Sequence, residues 1–246
     1  MKIIKLPFIL LYTLYTWFHV CFAVFSHYLL ARTFGFLFKD KETGYFKLAQ
    51  FFISCGFKYI GMPVKVVGLE NIPKEKPFIL VSNHQSFLDI PLILGYIPKN
   101  VAFVAKKELF KIPVLGWQLT NMGHIKMDRQ NARAALQQLA TLKETIKNNG
   151  KSFIFFPEGT RSTDGKILPF KTGAFKLAVE TGTTVIPCRI DGTMKALNKK
   201  SLLIRHNHLK LTIGKAIDVE KKSAKPEIKS QADKLKNSCS DIINSL

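Results

Sequence analysis

Residues 8–31 contain no Asp, Glu, Lys or Arg. As a helix, a run of that length rises about 36 Å, more than the roughly 30 Å hydrocarbon core of a bilayer. Tyr12, Tyr15, Trp17 and Tyr28 add aromatic side chains of the kind that settle at membrane–water boundaries. A cleaved leader is one fate for such a segment, since Lys2 and Lys5 precede it. The run is long for a leader core, however, and no small-x-small cleavage site follows. Membrane contact is therefore expected. Positive charge flanks both ends, with Lys2 and Lys5 before and Arg32, Lys39 and Lys41 after, so charge asymmetry sets no orientation. His19 and His27 fall inside the run, where each must bond to backbone or reach the boundary.

A second apolar segment follows the turn-like KDKETG at 39–44. In GYFKLAQFFISCGFKYIG the polar residues Lys47, Gln50, Ser54 and Lys58 recur at helical spacing, as a narrow polar stripe on a greasy helix. Such a helix suits a membrane interface, the wall of an apolar groove, or a buried core position. The spacing predicts helices over 6–37 and 44–60, and divides the chain into a two-helix membrane-associated segment, 1–60, and a domain, 61–246.

The net charge of +20, from 37 basic and 17 acidic residues, points to a polyanionic partner: nucleic acid, an anionic membrane face or a phosphorylated substrate. The basic residues lack the aromatic interleaving and helix-turn-helix pattern of nucleic-acid binders, and the chain carries a bilayer-length apolar run, so no nucleic acid is expected. Cys21, Cys55, Cys188 and Cys239 are scattered without a CxxC and read as reduced core residues. His206 and His208, in RHNHLK, have no nearby carboxylates or thiols and do not suggest a metal site.

Beyond residue 62 short strands alternate with helices. Strands are expected at VKVVG (64–68), FILVSN (78–83), VAFVAK (101–106), HIKMD (124–128), SFIFF (152–156), TVIPCRI (184–190) and KLTIG (210–214). Helices are expected at about 132–148, capped by Asn131 and ended by Gly150, at 170–181 between Pro169 and Gly182, and from Pro226 to the end. This order predicts an α/β fold, a mixed sheet flanked by helices on both faces.

Two blocks carry chemistry, and each lies just past an expected strand. NHQSFLD at 83–89 sets His84 and Asp89 five residues apart. A histidine backed by a carboxylate is what a neutral hydroxyl needs to become a nucleophile. FPEGTRS at 156–162 offers Gly159, Thr160 and Arg161, a loop suited to an anion, with a planar guanidinium fork for phosphate oxygens. Loops at strand carboxyl ends are where α/β enzymes place their sites. Ser86 and Cys188 are not favoured as nucleophiles, and Pro157 and Pro187 are expected to shape loops. Lys106 and Arg129 are further candidate cations.

These blocks, in this order and followed by VIPCRI at 185–190, resemble the phospholipid/glycerol acyltransferase family over roughly residues 60–220. The likeness extends to its bacterial 1-acylglycerol-3-phosphate acyltransferases. GHIKMDR at 123–129 keeps that family's glycine and arginine but has Lys126 between them. The resemblance implies acyl transfer from acyl-CoA or acyl-acyl carrier protein, as substrate and with no cofactor, to the free hydroxyl of lysophosphatidic acid. It implies His84 as general base with Asp89 as partner, and Glu158, Gly159, Thr160, Arg161, Lys106 and Arg129 around the acceptor. It also implies an N-terminal hairpin dipping into one leaflet; with the surplus positive charge and the reduced cysteines, an anionic lipid membrane at the cytoplasmic face of the inner membrane is expected. An acyltransferase acting on glycerol 3-phosphate or another lysophospholipid, and a basic membrane-binding protein without activity, remain alternatives.

Overall fold

The computed structural model describes residues 2–127 and 132–246. Helices α1 (Lys2–Phe34) and α2 (Lys41–Tyr59) come first, joined by a short 3-10 turn, with Asp40 Oδ1 capping α2 through the Thr43 N–H at 3.3 Å. Seven strands follow: β1 (Val64–Val67), β2 (Phe78–Ser82), β3 (Val101–Lys106), β4 (Ile125–Met127), β5 (Ser152–Phe155), β6 (Thr184–Asp191) and β7 (Leu209–Ile213). Between them run α3 (Asp89–Tyr96), α4 (Leu115–Asn121), α5 (Ala132–Asn149), α6 (Gly173–Thr181) and α7 (Thr193–Ala196), and α8 (Lys225–Ser245) closes the chain.

The strands form one sheet in the order β1-β7-β6-β2-β5-β3-β4. The five from β6 to β4 are parallel, so their carboxyl ends share one edge. β7 runs antiparallel to β6, and β1 lies parallel to β7, which makes the sheet mixed. Side-chain alternation explains the layers. Phe78 and Leu80 of β2 point into an apolar cluster with residues of α1, α2, α3 and α4, while Ile79 and Val81 point into one with α5, α6 and α8. The central strand is therefore apolar at nearly every position, as a strand covered on both faces must be. The α/β architecture and every expected strand are present.

The N-terminal expectation needs one correction. Two apolar helices form, but of these only α1, continued to Leu37, is long and apolar enough to cross a membrane, with mean hydropathy 1.8. α2 commits one face to the protein: Tyr45, Phe46, Ala49 and Phe57 are buried against the sheet face and α3. Gln50, placed by its spacing on a polar stripe, instead donates from Nε2 to Leu94 O at 3.1 Å and Ile97 O at 2.7 Å, satisfying carbonyls that α3 leaves open at its end. Helix α1 lies along this layer with Leu11, Leu14 and Phe18 about two-thirds exposed. His27, within α1, is buried and bonded through Nε2 to Tyr45 O at 3.0 Å. His19 bonds through Nδ1 to Tyr15 O at 2.9 Å.

α3 and α4 were not expected. Both are short, and α3 starts inside the NHQSFLD block, where no apolar period has room to show. The expected cap Asn131 lies outside the described residues. Helix α6 begins at Gly173, three residues after the expected start, and ends at Gly182 in the left-handed conformation, φ 68°.

Candidate active site

β2 and β5 are neighbours, paired Ile79 to Phe153 through Val81 to Phe155. The loops that leave their carboxyl ends therefore meet. Glu158 Oε1 accepts the His84 backbone N–H at 2.6 Å, and the Ser162 N–H donates to His84 O at 2.8 Å. The two sequence blocks are clipped together on both sides of the histidine. β6, on the other side of β2, adds a third hold: Asn83 Nδ2 donates to Ile190 O at 2.9 Å while Asn83 Oδ1 accepts the Ile190 N–H at 2.8 Å.

His84 Nδ1 lies 2.8 Å from Asp89 Oδ2. Asp89 is wholly buried at the first turn of α3, and the N–H groups of Gln85 and Ser86 also donate to Oδ2, at 2.6 and 2.8 Å. A carboxylate only accepts, so Nδ1 carries the hydrogen and Nε2 presents its lone pair. The imidazole is about one-fifth exposed, at 18%, and stacks on Phe156 with centroids 4.1 Å apart. Ring orientation is thus set by one bond and one face.

Arg161 sits over Phe87, its guanidinium carbon 3.7 Å from the ring centroid, a cation–π contact. Its Nη1 is buried without a hydrogen-bond partner. Burial pulls the guanidinium below its ordinary value, and the charge of Asp89 opposes that shift. A desolvated arginine nitrogen with nothing to donate to is a place for an anion. Gly159 turns the loop at φ 69°, and a Cβ there would meet Lys171 Nζ at 2.9 Å. Thr160 is exposed, its Oγ1 accepting from Lys199 Nζ at 2.9 Å.

Glu158 behaves differently from its neighbours. It is buried, with one oxygen on the His84 N–H and the other accepting the Leu168 N–H at 2.9 Å. Burial raises its pKa above the ordinary carboxyl value, and the two backbone bonds resist that rise. Its contribution is to hold the histidine loop and the 158–168 loop in register.

The structure thus brings together His84, Asp89, Glu158, Gly159, Thr160 and Arg161. Lys106 ends β3 at the same sheet edge, one strand beyond β5, and is exposed. Arg129 lies outside the described residues. Ser86 donates from Oγ to Leu197 O at 2.8 Å, which engages it structurally. Cys188 is fully buried and its thiol is pushed up by that burial. Sequence reasoning missed Asn83, Phe87, Phe156 and Lys199. The first three stand in or beside the two blocks, and an aromatic next to a candidate base or cation was the available signal. Nothing in the sequence marks Lys199.

The family model described as Acyltransferase matches residues 63–191. A chloroplastic 1-acyl-sn-glycerol-3-phosphate acyltransferase of Brassica napus is 41% identical over 62% of this chain and 44% of its own. The 1-acyl-sn-glycerol-3-phosphate acyltransferase of Helicobacter pylori is 36% identical over 61% of this chain and 62% of its own. The chain spans about half the length of the plant and algal curated relatives it matches. The crystal structure of the 1-acyl-sn-glycerophosphate (LPA) acyltransferase PlsC from Thermotoga maritima superposes with a TM-score of 0.76 at 34% identity, covering 98% of both chains.

Proposed function

The chain belongs to the acyltransferase family, and from that premise we propose that it transfers a fatty acyl group from an acyl thioester to the free hydroxyl of 1-acylglycerol 3-phosphate. The product is phosphatidic acid. The observation that carries this reading is the pairing of the His84–Asp89 couple with Arg161 on the adjoining loop, whose Nη1 is buried without a hydrogen-bond partner. A base and an anion site held on neighbouring loops suit an acceptor that has a hydroxyl and a phosphate in one small molecule.

His84 Nε2 takes the hydroxyl proton as the oxygen attacks the thioester carbonyl carbon. Asp89 fixes the tautomer and steadies the imidazolium that forms. The new C–O bond forms, the C–S bond breaks, and the imidazolium returns the proton to the departing thiolate. The thioester is already activated, so no acyl-enzyme is needed and Ser86 stays in its structural bond. Arg161 holds the acceptor phosphate, with Gly159 and Thr160 shaping its loop, and Lys106 extends the positive rim. The donor is acyl-CoA or acyl-acyl carrier protein, and both enter as substrates.

Both substrates carry apolar chains, and α1 exposes an apolar face. We place the enzyme on an anionic lipid surface, the cytoplasmic face of the inner membrane, with α1 and α2 as its anchor. Residues 61–246 carry 30 basic and 15 acidic side chains, a surplus suited to anionic headgroups. The test is an acyl-transfer assay on purified protein with lysophosphatidate, glycerol 3-phosphate and a neutral-headgroup lysophospholipid, each with both donors. Phosphatidate formed in preference to the other products supports the proposal. Transfer to glycerol 3-phosphate alone replaces the acceptor, and no transfer with either donor overturns the enzyme reading.

A further inference from the structure

Residues 197–204 form a closed hairpin between α7 and β7. Leu197 and Ile204 pair as an antiparallel bridge at its base, and both are buried. Inside it the Lys200 N–H donates to Asn198 Oδ1 at 3.0 Å and the Leu203 N–H to Ser201 Oγ at 2.9 Å. The hairpin is tied on two sides. Toward the site, Ser86 Oγ reaches Leu197 O, and Lys199 Nζ donates to Thr160 Oγ1 at 2.9 Å and to Arg161 O at 2.7 Å. Toward the N-terminal helix, Trp17 Nε1 donates to Leu202 O at 3.1 Å and Thr13 Oγ1 accepts the Ile204 N–H at 2.9 Å.

Lys199 is therefore an ammonium whose bonds go to neutral oxygens of the anion-binding loop. Such bonds are charge-assisted, and they immobilise a long, rotamer-rich side chain. They grip the turn at the two residues, Thr160 and Arg161, whose backbone aims the guanidinium across Phe87.

We propose that Lys199 is a positioning residue for acceptor recognition: it acts through Arg161, and the hairpin that carries it is seated on α1. This rests on the reading that Arg161 takes the acceptor phosphate. An acceptor drawn from a lipid surface is then met by an arginine whose pose is referenced to the helix lying on that surface.

The test uses the full chain, with lysophosphatidate presented in anionic vesicles. Lys199→Met removes both bonds to the loop and should raise the acceptor KM about 10-fold or more, while donor KM and kcat hold within about 2-fold. Lys199→Arg should recover most of it. Because the effect passes through Arg161, the Lys199→Met, Arg161→Lys double variant should be no worse than Arg161→Lys alone. Trp17→Phe should move acceptor KM the same way while vesicle sedimentation stays unchanged. Additive losses in the double variant would make Lys199 an independent phosphate ligand and overturn the proposal, as would an equal fall in kcat or an unmoved KM. A turnover-free readout separates this from failure of the functional reading: Lys199→Met should speed amide exchange across residues 160–162. Wild-type protein inert toward lysophosphatidate sinks the acceptor assignment, whereas unchanged exchange in the variant sinks the role of Lys199.

Discussion

The backbone N–H of His84 and the carboxylate of Glu158, 74 positions apart in the chain, meet at 2.6 Å. With the Ser162 N–H on His84 O at 2.8 Å, this contact makes the histidine loop and the arginine loop one rigid unit. His84 and Arg161 cannot move apart without breaking a half-buried, charge-assisted bond.

That unit makes Glu158→Gln informative. An amide offers one acceptor where the carboxylate offers two, so either the His84 N–H or the Leu168 N–H faces a donor. A loss of about 1–3 kcal/mol is expected for a buried bond replaced by an unsatisfied group, read as a lower midpoint in urea. Turnover should fall with it because His84 loses its register.

His84→Ala should lower kcat by about 10²- to 10⁴-fold, the range for a general base, with circular dichroism unchanged. In Asp89→Asn the amide oxygen can still take the three donors at Oδ2, but the amide nitrogen then occupies the place of Oδ1, which is buried without a partner. That variant should lose most of kcat and some stability together. Near-normal turnover in His84→Ala would remove the histidine from the chemistry.

Arg161→Lys replaces a fork with a point charge. Losing one bond of about 1.5–3 kcal/mol to a charged group raises acceptor KM by roughly 10- to 100-fold, with donor KM little changed. A rise in donor KM instead would assign the arginine to the donor's phosphates.

His124 supplies a pH test outside the site. Burial, aided by the charge of Lys151, lowers its pKa from 6.5 to about 3, and its Nδ1 accepts the Phe103 N–H at 3.4 Å. The unfolded chain takes up a proton near pH 6.5 while the folded one does not. Stability from this group is therefore complete above about pH 6.5 and falls as pH drops toward 3, at up to roughly 1.4 kcal/mol per unit. Thermal unfolding from pH 7 to 4 should show that slope, and His124→Asn should flatten it.

The anchor is best tested without shortening the chain, since Phe46 and Phe57 of α2 are nearly inaccessible in the core and losing such side chains costs about 3–5 kcal/mol each. Leu11→Glu, Leu14→Glu and Phe18→Glu change residues whose side chains are about two-thirds exposed. Removing about 1.5–3 kcal/mol of apolar transfer per residue should abolish sedimentation with anionic vesicles while leaving the unfolding midpoint near wild type. Sedimentation equal to wild type would show that α1 is not what holds the protein to lipid.

Much of this was legible in the chain itself. The strands under the site announced themselves because a strand covered on both faces is largely apolar: FILVS runs straight into NHQS, and SFIF, after Phe156 and Pro157, into EGTRS. His84 and Asp89 were legible because a five-residue loop lets one side chain fold back on the other. What stayed hidden depends on tertiary placement. The reversal of β7 leaves no trace in its alternation, which is the same in either direction. Gln50 looks like any polar residue on a helix until the end of α3 lies beside it. Lys199 is one lysine in a very basic chain, distinguished only by the loop it grips.

The hydrogen bonds that Trp17 and Gln118 make across the α1 boundary, to Leu202 O and Val24 O, also limit modularity. Helix α1 is fitted by sequence to its partners, so it cannot be exchanged as an interchangeable tag. A chimera that gives this chain another relative's first helix must also supply a donor for Leu202 O of the hairpin, whereas Gln118 needs only a backbone carbonyl that any helix presents. Without that donor the graft would leave the Leu202 carbonyl unmet at the seam, and the cost would surface as lost stability.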